Sequence, residues 1–242
     1  MPDFTAGQWI MGAFCAVLVG MAKTGIPGVF MLAIPAMVLL VGDARQSAGW
    51  LLPMMCVADI FAIIYWRRHA AATRLFRLAP WVLAGLAMGA AALSLSERIL
   101  RPTVGGIVLI MLLVDLRQRL RPTAAPSAGR PAPYGVAAGF ATTVANAAGP
   151  VMNLYLLKER LPKEEFLATG AWFFFVINLS KIPIYMWHGL LSRRSLAFDL
   201  AMLPAVLAGA VAGRWLVYRI SQRLFEGLVI GLTAVSAVLL FR

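Results

Sequence analysis

The sequence predicts an all-α polytopic membrane protein built as an inverted repeat. Each half is expected to be a broken, re-entrant-like helix hairpin followed by three transmembrane helices. Three observations lead there: a composition too apolar for a water-facing surface, apolar runs of about twenty residues from end to end, and two interruptions at corresponding places in the two halves.

Of the 242 residues 61% are hydrophobic and only 13% are charged, and the mean hydropathy is +0.82. A soluble domain charges roughly a quarter of its residues, so this chain lacks the polar groups to face water all round. In a bilayer only helices and closed barrels satisfy the backbone, and continuous rather than alternating apolar runs exclude the barrel. The net charge of +12 does not point to nucleic acid, because the Lys and Arg residues fall in loops, as in the cytoplasmic segments of membrane proteins. Cys15 and Cys56 lie inside apolar runs and read as packing residues, and His69 and His188 sit at helix ends. Neither pair suggests a disulfide framework, a metal site or a cofactor. The first apolar run lacks a basic leader and continues into further membrane sequence, unlike a cleavable signal.

Apolar length places full spans near 47–66, 78–95, 99–116, 164–187, 196–217 and 223–241. Two regions do not fit a simple span. Residues 6–41 are too long for one crossing and break at Lys23-Thr24-Gly25-Ile26-Pro27-Gly28; residues 134–157 break at Asn146-Ala147-Ala148-Gly149-Pro150. About fourteen residues on either side of the first break, or ~21 Å at 1.5 Å per residue, fall short of a comfortable crossing. Each region is therefore expected to form two short helices meeting inside the membrane.

The breaks recur in register with other features. Asp59, Pro80, Gly85, Gly89 and Arg98 follow the first; Asn178, Pro204, Gly209, Gly213 and Arg223 follow the second. The Pro-x4-Gly-x3-Gly pattern, whose glycines are spaced as in close helix contacts, is thus repeated intact. The expected organisation is a first repeat over 1–119, a linker over 120–133 and a second repeat over 134–242. Arginines at 67, 68, 74 and 77, and at 117, 119, 121 and 130, mark the loop 66–78 and the linker region as cytoplasmic. Two odd-numbered halves joined this way have opposite orientations, with both termini outside.

Broken helices in an inverted repeat point to a binding site. Pro27 and Pro150 suit the first turn of a second half-helix, where no amide hydrogen is needed. Exposed N-terminal amides and the positive ends of helix dipoles would then favour an anion. The ionisable residues in or near the apolar regions are Lys23, Asp59, Asp115 and Lys181, and such charges normally face partners or cargo. Asp115, beside Arg117, reads as interfacial. Asp59, the only acid placed deep in a span, is either an ion-pair partner for a lysine or a coupling group. The candidate anion-binding set is Lys23, Thr24, Gly25 and Gly28 of the first break, Asn146, Gly149 and Asn153 of the second, and Asn178 and Lys181 with Ser180 nearby. Trp172, Phe173, Phe174 and Phe175 read as lipid-facing or packing groups. No metal-ligand pair, Ser/His arrangement or paired carboxylates suggest an enzyme.

At these residues the chain resembles the TauE/SafE sulfite-exporter family, also called the toluene-sulfonate uptake permease family. The resemblance covers nearly the whole chain. It rests on Gly20-Met21-Ala22-Lys23-Thr24-Gly25 with Pro35, on Ala145-Asn146-Ala147-Ala148-Gly149-Pro150 with Tyr155-Leu156-Leu157, and on Asn178 with Lys181-Ile182-Pro183. Thr24-Gly25 departs from the many relatives that carry a second glycine there. The resemblance implies transport of sulfite, thiosulfate or small sulfonates and related organic acids across the inner membrane, leaving cargo and direction open. With no nucleotide-binding motif in the sequence, a secondary transporter is the leading expectation and a channel for a similar anion the alternative. The implied partners are a small anion and membrane lipids, and a homodimer stays open.

Overall fold

The computed structural model describes residues 4–69, 72–92, 97–120, 131–145 and 147–239, and among these the regular structure is wholly helical. The elements are α1 (Ala6–Thr24), α2 (Phe30–Val41), α3 (Ala44–Trp66) with a 3-10 turn at Arg67–His69, α4 (Ala72–Ala92), α5 (Glu97–Leu120), α6 (Pro131–Ala145), α7 (Ala148–Lys158), α8 (Lys163–Trp187), α9 (Arg193–Arg219) and α10 (Gln222–Leu239). Among the described residues six helices are long and apolar enough to cross a membrane: α1, α3 from Gln46, α4 from Leu75, α8, α9 and α10. The 24 residues of α5 give about 36 Å of helix. The chain is a multi-pass membrane protein.

Local chemistry sets the ends. Thr5 and Gln8 form a capping box on α1, and Ser192 and Ser195 form another on α9. The Asp43 carboxylate accepts from Gln46 N at 2.7 Å at the start of α3, and Gly42, at φ 81°, closes α2 in a left-handed conformation.

Both expected breaks are present, but the first is unequal. Rather than two halves of about fourteen residues, α1 has 19 and α2 has 12. The helix runs on through Lys23 and Thr24 because the Thr24 hydroxyl lies 3.1 Å from the Gly20 carbonyl and 2.6 Å from the Ala210 carbonyl. Pro27 does not open α2 either. It sits in the turn before that helix, where Gly28 takes φ 102°. Pro150, by contrast, does lie in the first turn of α7.

The helices gather into two compact units that cut across the sequence halves: Met1–Ala70 with Leu167–Ser221, and Ala71–Phe166 with Gln222–Arg242. In the first, α1 packs on α9, α3 and α2, and α9 also packs on α3. In the second, α6 packs on α4, α5 and α7, and α10 packs on α5 and α7.

The main crossing of each unit is built alike. In the first, Gly209 backs onto the Val17 carbonyl, Gly20 onto the Val206 carbonyl, and Gly213 onto Met21 and the Thr24 hydroxyl. In the second, Gly85 backs onto the Val136 carbonyl, Gly139 onto the Val82 carbonyl, and Gly89 onto Phe140 and the Thr143 hydroxyl. The partners on α1 and α6 (Val17 and Val136, Gly20 and Gly139, Met21 and Phe140, Thr24 and Thr143) are each 119 residues apart. Those on α4 and α9 (Val82 and Val206, Gly85 and Gly209, Gly89 and Gly213) are each 124 apart. Thr143 repeats the local bond of Thr24, its hydroxyl lying 2.9 Å from the Gly139 carbonyl. A Cβ at these glycines would strike backbone, so their absence of a side chain lets the helices meet at main-chain distance.

Candidate functional site

The first unit buries a polar cluster drawn from three helices. Phe174, Asn178 and Lys181 recur on α8 at the spacing that puts side chains on one face, α3 supplies Cys56 and Asp59 one turn apart, and Lys23 comes from the last turn of α1.

Asp59 organises the cluster. Its side chain is fully buried, and its Oδ1 lies 2.8 Å from the Lys23 ammonium, itself only 9% exposed. Its Oδ2 accepts from Asn178 Nδ2 at 2.7 Å. A carboxylate only accepts, so the Asn178 amide must turn its nitrogen to Asp59 and its oxygen the other way. That oxygen accepts from the Lys181 ammonium at 3.4 Å. Lys23 also rests 4.3 Å from the centre of the Phe174 ring, a cation–π contact strengthened by the lack of water. The negative end of the α1 dipole, where Lys23 sits, favours a cation as well.

The charges do not balance within this group. Lys23 and Lys181 are two ammoniums around one carboxylate, and Asp59 is the acid that acts on both; Cys56 feels all three. Buried ions are tolerated only where paired or hydrogen-bonded.

The remaining predicted residues divide. Thr24 is buried between two carbonyls and ties α1 to α9. Gly25 backs onto Gly213, and Gly28 forms the turn. Ser180 is bonded to the Ile177 carbonyl at 2.7 Å. Gly149 and Asn153 belong to the second unit, Gly149 in the first turn of α7 with open space where a Cβ would stand. Asn153 is 2% exposed, and its Nδ2 has no hydrogen-bond partner. Asn146 lies outside the described residues. Neither α2 nor α7 has a side-chain cap at its N-terminus.

Two positions depart from the sequence reading. Phe174 is not merely a packing or lipid-facing ring but a face for Lys23, signalled by its one-turn spacing from Asn178. Asp59 is not the only acid buried in a span, because Asp199 is buried on α9 with both carboxylate oxygens unpartnered. A span drawn from 196 puts Asp199 at its edge; the helix begins at Arg193, which places Asp199 in its second turn. Asp115, read as interfacial, is buried within the second unit.

A family described as Sulfite exporter TauE/SafE matches over residues 12–240. No curated protein and no solved structure was found to match the chain.

Proposed function

The chain belongs to the sulfite exporter TauE/SafE family of membrane transporters, and from that premise we propose that it is a secondary transporter of a small oxyanion. The cargo class is sulfite or a small organosulfur or sulfonate compound, carried across the inner membrane by alternating access. The observation that carries this reading is the buried cluster of Lys23 and Lys181 around the single carboxylate of Asp59. Lys181, whose ammonium donates to the Asn178 amide oxygen at 3.4 Å inside the cluster, is the lysine we assign to cargo.

Asp59 and Asn178 are repeat mates 119 residues apart, and they hydrogen-bond to each other. Equivalent positions of a duplicated chain touch only near the axis that relates the copies. Together with the paired glycine crossings, this supports an inverted repeat with its site at the repeat interface, where transporters of this kind bind cargo.

The test is a thermal-shift screen of purified protein against sulfite, thiosulfate, taurine, sulfoacetate and simple carboxylates, followed by counterflow in proteoliposomes. A native-state ligand raises apparent stability, and exchange of labelled for unlabelled cargo requires a carrier rather than a channel. Stabilisation by a sulfur oxyanion with counterflow of the same anion supports the reading; stabilisation without exchange overturns the carrier.

A further inference from the structure

Asp199 stands apart from the anion site. Gly213, which meets the end of α1 carrying Lys23, lies fourteen residues further along α9, or about 21 Å of helix. The Asp199 residue is 4% exposed, and neither carboxylate oxygen has a hydrogen-bond partner.

Among the described residues no side chain bonds to its carboxylate. The preceding residue, Phe198, is fully buried, with ring centres of Phe4, Trp9 and Trp50 at 5.6, 5.6 and 5.1 Å. One turn back, the Ser195 hydroxyl accepts from Ser192 N and donates to the Ser192 carbonyl. On α9 itself Arg193 and Arg194 are exposed, and Arg194 rests on the Phe4 ring. Of the helices packed against α9, the described charged side chain of α1 is Lys23, bound to Asp59. Those of α3 are Asp43, which caps its own helix, and Asp59. None of these groups hydrogen-bonds to Asp199.

An ionised carboxylate cannot be held there without a partner, and a metal ion would need several more oxygens. Among the described residues no group of three metal-ligating side chains exists. The remaining small cation is a proton.

We propose that Asp199 is a proton-binding site of the transport cycle, distinct from the anion site. It holds a proton while α9 is packed on α1 and α3, and releases it to water when that face opens. The proton comes from one aqueous compartment and leaves to the other, so anion movement is linked to a proton gradient. This rests on the transporter reading above.

Two measurements test it, one of them independent of transport. Infrared spectra of the protein in bilayers should contain a protonated-carboxyl C=O band that shifts in D2O and is lost in Asp199→Asn. Asparagine keeps the size and neutrality of the protonated acid, so the fold should survive; titrating the wild-type band with pH needs no variant. In proteoliposomes, Asp199→Asn should lose uptake driven by a pH gradient while counterflow of sulfite continues. A carboxyl band unchanged by the substitution, or gradient-driven uptake at the wild-type rate in Asp199→Asn, would overturn the proposal. Absence of counterflow in the wild type would instead sink the transporter reading, and the infrared result alone would then decide whether Asp199 holds a proton.

Discussion

Replacing Asp59 with Asn removes the acceptor that neutralises Lys23 while keeping side-chain size. The pair is 2.8 Å apart and almost wholly shielded from water. At an effective dielectric constant near 20 its direct attraction is about 6 kcal/mol. Part of that is offset by the desolvation both ions have already undergone. Removing one partner of a buried pair therefore costs about 3–5 kcal/mol, since the other charge is left stranded. For a chain of this size such a loss corresponds to a fall in melting temperature on the order of 10 °C. Melting in detergent should be compared for Asp59→Asn, Lys23→Met and the double variant Asp59→Leu with Lys23→Met, which removes both charges. The double variant should recover most of the loss, because an apolar pair of similar volume replaces a buried ion pair at little cost. Function adds a second readout: if Asp59 anchors Lys23, cargo exchange and gradient-driven uptake should fall together in Asp59→Asn. Melting of Asp59→Asn within about 2 °C of wild type, or a double variant no more stable than the single ones, would refute the anchor. Loss of gradient-driven uptake with full exchange would instead make Asp59 a coupling group.

Three further outcomes are expected. Lys181→Ala should melt like the wild type without ligand but lose the anion-induced gain, which at one hundred times Kd is about 2.7 kcal/mol; normal transport by this variant would make the lysine structural. Gly209→Ala and Gly85→Ala each drive a Cβ into a backbone carbonyl of the facing helix and should destabilise by about 1–3 kcal/mol. Gly227→Ala, with open space around it, should not, and equal melting of all three would refute the close crossings. Single cysteines placed at Ser127 and Ser192 should label from opposite sides of the membrane, and same-side labelling would refute the inverted orientation.

The sequence by itself determined the membrane class, five of its six full spans and the presence of both interruptions. The span drawn at 99–116 is not among the six described helices long and apolar enough to cross, whereas α1, read as a short half-helix, is. What was legible depends on local quantities: the length of an apolar run, the helical period, and where Gly and Pro end a helix. The Pro-x4-Gly-x3-Gly repeat was legible for the same reason, as close crossings leave small residues at fixed spacing. Where the first helix stops was not legible, because Thr24 prolongs α1 by bonding to Ala210, 186 residues away. Nor could spacing choose a partner for Asp59 among the buried lysines. That was decided by the packing of α1, α3 and α8, which brings Lys23 and Asn178 to its two oxygens and leaves Lys181 to the far side of the amide. Asp199 shows the same limit in reverse. Its type and position were plain in the chain, but only tertiary packing could bury it and leave both of its oxygens without a hydrogen-bond partner.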